Sequence, residues 1–598
     1  MKFLARRVMP ALLVAAFLLA GRVQAQVLKQ VPSNAMVVLK VNNLAGVNKK
    51  LGDFFQSLGL VQMSPELADP LASLQKETNL NNGLNKDGDM AVAFIDPGGK
   101  GNSDKSVIAL IPTNDYKALL SNFSDAKTDG DITEVKFPND PDSSYVANWG
   151  GYAVISPDKD LVSKKPEGIA PEGLTAKELD GKDMVLYANM KQIRTRVLPE
   201  LQKNRGQIMD QLDSALKDNA QMSKFSPAIK VLVGRLLDAS ESILKDSNAA
   251  TLSANLGDKG VAFSLLADFA KDSSIGTNIA KVKNTDASLL AGLPTGTYIL
   301  FGGSTVDPNV ANQTLSYFLD PVEKELQQIG DDAKPILDYT GALRTMVSSE
   351  TGAAYGFVAP AGQVGQEPLF QFVSVLSGTD SKKLLDAQAQ MYKSQQDLMK
   401  TFGGAAANNA ATTTVTANAK TIEGVSFTQY QTTFNINAQT PAEMQAQQFV
   451  QFMYGPNGLN LYTGAVNDKT AVTASGVSDQ MLTSLVQTAK KGDDPLASSD
   501  AVKAVAEQLP KQRVMATYFA LDQLVQTGVN AAKQMGIPVP VQLPPNLPPI
   551  GTAVSTDGSV VRVDTYVPTD LIQSITAAGM QMYMQARQGM QGGGGGGL

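Results

Sequence analysis

The 598-residue sequence contains neither histidine nor cysteine, which limits the chemistry that its side chains can perform. Without histidine, no imidazole can activate a serine, bind zinc or copper, or act as a general base. Without cysteine, thiol catalysis, iron–sulfur clusters and disulfide bonds are excluded. The chemistry that remains is that of paired carboxylates, serine–lysine nucleophiles, tyrosine or lysine acid–base groups, and metals bound through oxygen.

Motifs for this remaining chemistry are incomplete. A serine–lysine nucleophile needs a Ser-x-x-Lys motif with later partner motifs, which do not accompany any of the four matches. Those matches are Ser124/Lys127, Ser156/Lys159, Ser214/Lys217 and Ser242/Lys245. The segment 125–134 concentrates oxygen ligands, but Lys127 occupies a ligand position of the calcium-binding loop pattern. We therefore expect solvated turns there, no metal site, no cofactor and no catalytic residue.

Trp149 is the only tryptophan, and it lies between two strand patterns. An exposed indole could act as a stacking platform for a sugar or a peptide. A tryptophan in this setting more commonly packs at the edge of a sheet. Trp149 is therefore the one candidate binding residue, with core packing as the alternative.

The first 25 residues have the organisation of a secretory signal. Lys2, Arg6 and Arg7 precede the apolar run 11–20, and small residues before the 25/26 bond indicate cleavage between Ala25 and Gln26. The apolar run is about half the length that a membrane-spanning helix needs. No later stretch is long and apolar enough to span. We expect an exported protein, periplasmic or at the cell surface, with no membrane span after cleavage.

Charge and length limit the partners and the domain count. Cleavage would remove four basic residues and no acidic one, which changes the net charge from −6 to −10. An acidic protein without a dense basic run is poorly suited to nucleic acid. The 573 residues that remain are more than one hydrophobic core usually serves, so at least two domains are expected.

Segments of the first half recur in the same order in the second half, which predicts an internal duplication. Phe94–Gly99 resembles Phe357–Gly362, and 111–120 resembles 376–385. Further pairs are 31–41 with 293–301, Asp183–Asn189 with Arg513–Phe519, and the hairpin patterns Leu252–Leu266 and Ala553–Val567. Five matches in one order are much harder to obtain by chance than any single match.

Tight turns between strand patterns require antiparallel pairing, so the predicted class is α+β, with two similar halves that each pack helices on a mainly antiparallel sheet. The predicted organisation is a signal peptide at 1–25, α+β domains at 26–285 and 286–580, and a disordered Met/Gln/Gly-rich tail at 581–598. The low-complexity segment Gly403–Ala419 is predicted to be a loop.

The opening of the mature chain resembles exported bacterial proteins of a domain-of-unknown-function type with repeated strand–helix units. In that type, a signal peptide precedes a proline, an apolar strand and an Asn/Asp-x-Leu turn. Here these are Pro32, the apolar residues Val37, Val38 and Val41, and Asn42–Leu44. The resemblance covers most of the mature chain, rests on a short motif, implies a periplasmic or cell-surface location, and supplies no catalytic residues.

Duplication without a catalytic constellation predicts an exported, non-enzymatic binding or scaffold protein. Its partner would be an unknown protein, an envelope polymer or an apolar ligand. One alternative is a carboxylate-dependent hydrolase of cell-envelope polymers, which would place two carboxylates about 5–9.5 Å apart in a cleft. The other is a periplasmic carrier of apolar ligands with an enclosed apolar cavity.

Overall fold

The computed structural model describes most of the chain as two compact units. The described residues are 27–96, 105–138, 140–360, 367–402, 411–436, 439–534, 536–537, 539 and 541–592. Unit 1 comprises residues up to Glu200, Ile243–Ile279 and Asp557–Ala577. Unit 2 comprises Leu201–Ser242, Ala280–Thr556 and the residues from Ala578 onward. The compact units therefore do not coincide with the consecutive segments 26–285 and 286–580, since each combines distant parts of the chain.

The strands of the described residues fall into two series. The first series is β1 (Ala35–Val41), β2 (Met90–Ile95), β3 (Val107–Pro112), β4 (Lys127–Asp129), β5 (Ile132–Val135), β6 (Ser144–Asn148), β7 (Tyr152–Ser156), β8 (Met184–Asn189), β9 (Ser247–Gly257) and β10 (Gly260–Phe269). The second is β11 (Tyr298–Thr305), β12 (Glu350–Val358), β13 (Gln371–Gly378), β14 (Ala411–Ile422), β15 (Val425–Phe434), β16 (Leu459–Asn467), β17 (Thr470–Ser475), β18 (Met515–Phe519), β19 (Ile550–Asp557) and β20 (Val560–Pro568).

The helices lie between these strands. Those up to Ile279 are α1 (Leu44–Ser57), α2 (Pro70–Thr78), α3 (Tyr116–Leu120), α4 (Lys159–Ser163), α5 (Gly173–Gly181), α6 (Met190–Lys217), α7 (Ala220–Ser223), α8 (Ser226–Asp246) and α9 (Ser274–Ile279). Those that follow are α10 (Pro308–Ile329), α11 (Lys334–Ser349), α12 (Ser381–Phe402), α13 (Pro441–Tyr454), α14 (Asp479–Lys491), α15 (Asp500–Ala506), α16 (Leu521–Gln534) and α17 (Thr569–Gly592). Short 3₁₀ helices occupy Val27–Gln30, Leu60–Gln62, Pro65–Ala68 and Gly330–Ala333.

The sheet of unit 1 is antiparallel at each pairing described. Its strands follow the order β20–β10–β9–β8–β1–β2–β3–β7–β6–β5–β4. The hairpin predicted at Leu252–Leu266 is present, because β9 and β10 pair from Gly257 opposite Gly260 onward. The strand β20 comes from the C-terminal part of the chain and pairs with β10, which explains why unit 1 is discontinuous.

The sheet of unit 2 is also antiparallel at each pairing described. Its order is β19–β18–β11–β12–β13–β17–β16–β15–β14. This is the order that runs from β9 to β4 in unit 1, with every strand number raised by ten. Both sheets also carry a register shift at the same place, between Ala35 and Val37 in β1 and between Tyr298 and Leu300 in β11. The α+β class with antiparallel sheets is therefore confirmed.

Helix starts follow local sequence signals in both units. Asp115 precedes α3, and its carboxylate accepts a hydrogen bond from the Ala118 amide at 3.0 Å. Asp380 precedes α12 and accepts from the Lys383 amide at 3.1 Å. An aspartate at this position satisfies an amide that has no partner within the helix. The sequence match that aligned Asp115 with Asp380 therefore corresponds to the same cap in each unit.

The core of unit 1 lies on both faces of its sheet. One cluster packs Val41, Met184 and Val261 against the first helices, through residues such as Leu44 and Leu119. The second cluster covers the opposite face; its members include Val38, Val185, Tyr187, Leu179 of α5 and Val27 of the first 3₁₀ helix. Adjacent residues of one strand reach opposite faces, so Val38 and Val41 belong to different clusters.

In unit 2, helices pack on the sheet and on one another. Leu384 of α12 is fully buried and packs with Leu376 of β13 and Ala471 of β17. On the sheet, the rings of Phe301 and Tyr518 stack with centroids 5.2 Å apart. A separate cluster joins α8 to α10; its members include Phe225, Ala228, Val322 and Leu326. The long helical stretch 201–242 is thus part of unit 2.

Two predicted segments differ from the structure. Residues 411–419 of the segment predicted as a loop form most of β14, because threonine and valine favour a strand with a partner alongside, here β15. The remaining residues, 403–410, lie outside the described residues. Helix α17 continues to Gly592, so the first part of the segment 581–598 is helical rather than disordered.

Candidate binding surface

A row of leucines is exposed in the middle of the unit 1 sheet. Leu39 of β1 lies opposite Leu186 of β8, which lies opposite Leu252 of β9. Leu252 in turn lies opposite Leu265 of β10, and Leu265 lies opposite Val563 of β20. The three central leucines are 37%, 42% and 50% exposed in the order of the row. We call these five residues the leucine row.

The sheet face around the leucine row carries no charge. We call a set of residues that lie opposite one another across the strands a level. The level two residues away from the leucine row, on the same face, is Val37, Ala188, Ala250, Ala267 and Val561, all partly exposed. One level in the other direction lie Val41, Met184, Ala254, Phe263 and Thr565. Of these fifteen positions, Thr565 alone has a polar side chain. Val41, Met184 and Ala254 are buried, so the exposed apolar surface consists of the leucine row and the level of Ala250. Contiguous exposed apolar surface of this kind marks interaction sites on soluble proteins.

On the opposite face, β9 and β10 carry buried polar side chains next to the buried Leu266. Thr251 and Ser253 of β9 are each 1% exposed, and Ser264 of β10 is 2% exposed. An antiparallel sheet with one solvated face normally places its apolar residues inside and its polar residues outside. In β9 and β10 this arrangement is inverted, so burial of a core does not account for the leucines.

An ion-pair network explains how the polar face is buried. Arg562 of β20 contacts Glu178 of α5 at 2.8 Å and both carboxylate oxygens of Asp564 at 2.8 Å. The hydroxyl of Ser253 donates to Glu178 at 2.8 Å, and that of Ser264 donates to Asp564 at 2.5 Å. Each carboxylate is thus held by a guanidinium and a hydroxyl, as buried charges require.

The same network bears on hydrolase chemistry. A glycosidase of the two-carboxylate type needs one carboxyl group that carries a proton and a second that is free to attack or to activate water. Glu178 and Asp564 both contact Arg562, and each also accepts a hydrogen bond from a serine hydroxyl. The arrangement is that of a structural ion-pair network.

Unit 2 carries different residues at the place of the leucine row. Backbone hydrogen bonds show which residues of β1 and β11 are equivalent. The Asn42 amide donates to the Asp183 carbonyl in unit 1, and the Thr305 amide donates to the Val514 carbonyl at the same point of the unit 2 sheet. Leu39 lies three residues before Asn42, and Gly302 lies three residues before Thr305, so Gly302 is the equivalent of Leu39. In unit 2, Gly302 lies opposite Thr517, which lies opposite Thr552.

A tyrosine packs beside this position of unit 2. Tyr355 lies opposite Gly302, and its hydroxyl lies 2.9 Å from the hydroxyl of Thr517. A Cβ atom at position 302 would lie 2.5 Å from the Ala516 carbonyl oxygen, so the neighbouring strand leaves no space for a side chain there. The strand order therefore does not require leucines at this level.

A second unusual feature of unit 1 is a buried lysine. Lys40 is 0% exposed, and its ammonium donates to the Leu179 carbonyl oxygen at 2.8 Å. The same group lies 3.3 Å from Asp89 and 3.5 Å from Asp180. Leu179 is near the C-terminal end of α5, where a cation also interacts favourably with the helix dipole. The ammonium is fully engaged and inaccessible, so it joins α5 to the sheet and is unsuited to acid–base catalysis.

Asp183 is a second buried carboxylate of unit 1, and its pKa is strongly raised. It is 0% exposed, accepts a hydrogen bond from the Leu256 amide at 3.0 Å and lies 3.5 Å from the ammonium of Lys50. Burial raises its pKa to about 7, against the opposing effects of the amide and of Lys50. Burial also raises the pKa of Asp89, against the effect of Lys40.

The structure places Trp149 in the core of unit 1. The indole is 4% exposed and packs among buried residues of the second cluster, and the Trp149 amide donates to the Tyr152 carbonyl at 2.9 Å. Little of the ring is left for stacking on a ligand, and this favours the packing alternative. The cleavage-site residues Ala25 and Gln26 lie outside the described residues.

The other sequence motifs do not converge on a site. In the Ser-x-x-Lys matches, Ser214 donates to the Asp210 carbonyl and Ser242 to the Asp238 carbonyl, while Lys217 pairs with Asp213. The oxygen-rich segment 125–134 contains β4, β5 and a turn at Gly130. Among the described residues, no group of three or more acidic side chains is placed to hold a metal ion.

Sequence reasoning missed the leucine row because its members come from five separate strands. A signal was present in β9, where Ala250, Leu252, Ala254 and Leu256 alternate with polar residues. That alternation indicates an apolar face, but only the register of the neighbouring strands brings these leucines to one level. Which of the two faces is covered also depends on where α5 packs.

Comparisons with known proteins give little further information. No family model matches the sequence, and no curated protein matches it. Solved structures of crystal forms IV, III and I of TP0453 align with 11% identity and TM-scores of 0.20, 0.21 and 0.19. The alignments cover 48%, 49% and 49% of this chain and 96%, 100% and 98% of those chains. Likeness at this level carries no argument about this protein. In the part of the chain that the structure describes, no helix has the length and apolar character needed to cross a membrane.

Proposed function

We propose that this protein is an exported, non-enzymatic binding protein and that the leucine row of unit 1 is its docking surface. The observation that carries the proposal is the inverted sheet face. Leu186, Leu252 and Leu265 are 37–50% exposed while the hydroxyls on the other side of the same strands are buried. Exposing such a surface costs solubility, so it persists where a partner covers it.

The chemistry of the described residues supports binding over catalysis. The most deeply buried charged groups, Lys40 and Asp183, are engaged with carbonyl, amide or charged partners, and Glu178 and Asp564 share Arg562. A binding surface needs neither histidine nor cysteine, which the whole sequence lacks. The carrier alternative is supported by the same leucines, but as an open face rather than an enclosed cavity.

We also propose that the two units arose by duplication of one ancestral domain. The support is the shared strand order, the shared register shift near the start of β1 and β11, and the shared aspartate caps at Asp115 and Asp380. On this proposal, the second copy kept a closed surface where the first acquired the leucine row. The exported location remains a proposal that rests on residues 1–25.

Cysteine protection tests the proposed docking surface, because the chain has no cysteine of its own. Single variants Leu252→Cys and Leu265→Cys are labelled with a small polar maleimide, both in the exporting cell and after purification. We expect labelling to be at least tenfold slower in the cell at these two positions. Leu524→Cys is the matched control, because Leu524 is 44% exposed and lies in α16 of unit 2.

The outcomes of this test separate binding from its rivals. Equal labelling rates in the cell and after purification at 252 and 265 would contradict a docking surface. Equal slowing at 524 would show a general effect of the cell envelope and would contradict it as well. Hydrolysis of ester, glycoside or peptide substrates by the mature protein, abolished by one Asp, Glu, Ser or Lys substitution, would contradict the non-enzymatic assignment.

A further inference from the structure

We infer that the occupant of the leucine row is an amphipathic α-helix of a partner protein, about four turns long. This inference rests on the proposed function, since it names the partner class of the same surface. It follows from the size of the open face, from the absence of charge on it, and from the shape that its alanines and leucines give it.

The apolar area of the open face matches a single helix better than a stable interface with a second copy of this chain. Two levels are open, that of the leucine row and that of Ala188, Ala250 and Ala267. Five strands and two levels measure about 24 Å by about 14 Å, or roughly 330 Å². A stable interface between two proteins buries about 800 Å² on each partner. A helix of about 16 residues has the matching length at about 1.5 Å per residue.

The face offers no charged group that would hold an anionic or zwitterionic lipid headgroup. Across the fifteen face positions the only polar side chain is that of Thr565, and Arg562 and Arg196 are already paired with carboxylates. An acyl chain bound here would leave its headgroup without a partner from this face. An amphipathic helix needs none, because it places its apolar stripe on the sheet and keeps its charges in water.

The surface has the relief that a helix requires. Ala188, Ala250 and Ala267 lie side by side and form a low floor, and the central leucines rise beside them along the whole width. Leucine side chains at i, i+3, i+4 and i+7 of a helix can rest on this floor against that wall. Backbone groups of the sheet are paired across these strands, so an extended peptide would find no strand edge on this face.

Peptide binding tests the inference on the purified mature protein. The probes are two fluorescent 18-residue Leu/Lys/Glu peptides of identical composition. One has its leucines at helical spacing, and the other has them alternating with polar residues. The protein is tested as wild type, as Leu252→Glu/Leu265→Glu, and as Leu524→Glu. We expect the helical peptide to bind with Kd below about 100 μM, at least tenfold more weakly to the double variant, and unchanged to Leu524→Glu.

Four results would overturn the inference. The first is equal affinity of the wild type for the alternating peptide, and the second is equal affinity of the double variant for the helical peptide. The third is binding of the wild type to neutral phosphatidylcholine vesicles, and the fourth is a dimer seen by light scattering, when either is lost in the double variant. If cysteine labelling still shows protection at 252 and 265, these results refute the helix but not the docking surface. A folded far-UV spectrum of the double variant guards against loss of binding through unfolding.

Discussion

The two sheets carry opposite surfaces at the same place in the same strand order. In unit 1 the level of Leu39, Leu186 and Leu252 is apolar and open. In unit 2 the corresponding level is Gly302, Thr517 and Thr552, covered at one side by Tyr355. Since the same strand order forms with either set of residues, it does not itself require the leucines. The fold alone therefore does not account for this surface.

A second difference lies one residue further along the same strands. Lys40 of β1 is buried against α5, where it contacts a carbonyl oxygen and two carboxylates. The equivalent residue of β11 is Gly303, where a side chain would overlap the Leu289 carbonyl oxygen. Unit 1 thus holds a helix on its sheet through charge, whereas in unit 2 the backbone of the turn residue Leu289 closely approaches the strand.

The largest expected effect concerns the buried lysine. We expect Lys40→Met to lower the free energy of unfolding by about 3–5 kcal/mol, because Asp89 would remain buried without its counter-charge. Urea unfolding at pH 7 measures this. The control is Lys49→Met, since Lys49 is 77% exposed and its pair with Asp53 lies at the surface; we expect no measurable change in midpoint. Equal effects would contradict the assigned role of Lys40.

The next effect is a pH dependence of stability that arises from Asp183 in unit 1 and has no counterpart at the equivalent position of unit 2. Asp183 has a pKa of about 7 in the folded state and about 3.8 as its ordinary value, whereas unit 2 has Val514 there. Between these values the folded state binds the proton more firmly, so stability falls as pH rises from about 4 to about 7 and then levels off.

The variant Asp183→Asn isolates this contribution. It keeps an oxygen that can accept from the Leu256 amide, and it cannot ionise opposite Lys50. We expect the difference in unfolding free energy, variant minus wild type, to increase by on the order of 3 kcal/mol between pH 4 and pH 8. Urea unfolding at steps of half a pH unit provides the measurement. A difference that is constant with pH would contradict the buried, proton-binding carboxyl group.

A smaller effect is expected on the unit 2 side of the comparison. Gly303→Ala forces a Cβ against the Leu289 carbonyl and to 2.7 Å from that of Ala353, so we expect a loss of about 2 kcal/mol. Gly341→Ala is the control, because this glycine lies within α11 and has open space around it. Replacement there should stabilise the protein by about 0.5–1 kcal/mol, since alanine favours a helix. Thermal unfolding distinguishes the two signs, and a loss in both variants would refute the close approach.

The smallest expected effect on stability is in the leucine row itself. Leu265 and Leu266 are adjacent in β10, and they are 50% and 0% exposed. Leu265→Thr introduces threonine, the residue type at positions 517 and 552 of unit 2. It should change the free energy of unfolding by less than about 0.5 kcal/mol. Leu266→Ala should cost about 2–5 kcal/mol. Similar losses in urea unfolding would mean that the leucine row belongs to the core.

Local signals in the sequence were sufficient for the fold class but not for the surface. The turn residues at Asp258–Gly260 predicted the β9–β10 hairpin, and the match of Asp115 with Asp380 located two equivalent helix starts. Both depend on residues close together in the chain. The loop prediction for 411–419 is wrong because pairing with β15 stabilises this strand, and the low-complexity composition of the segment does not indicate that partner.

The leucine row and the unit boundaries depend on contacts between distant segments. Leu186 and Leu252 become neighbours only through the pairing of β8 with β9, and Leu265 meets Val563 only because β20 pairs with β10. The inverted burial of β9 likewise depends on Arg562 and Glu178, which stabilise a polar face beneath α5. No periodicity within a single strand contains this information.

Photo-crosslinking in the exporting cell tests the docking surface most directly. A benzophenone amino acid is placed at 252 in unit 1 or at the equivalent position 552 in unit 2, and the purified protein is examined for covalent adducts. We predict a discrete adduct at 252 that disappears with Leu265→Glu, and no such adduct at 552. The same adduct at both positions, or none at 252, would contradict a partner-covered leucine row.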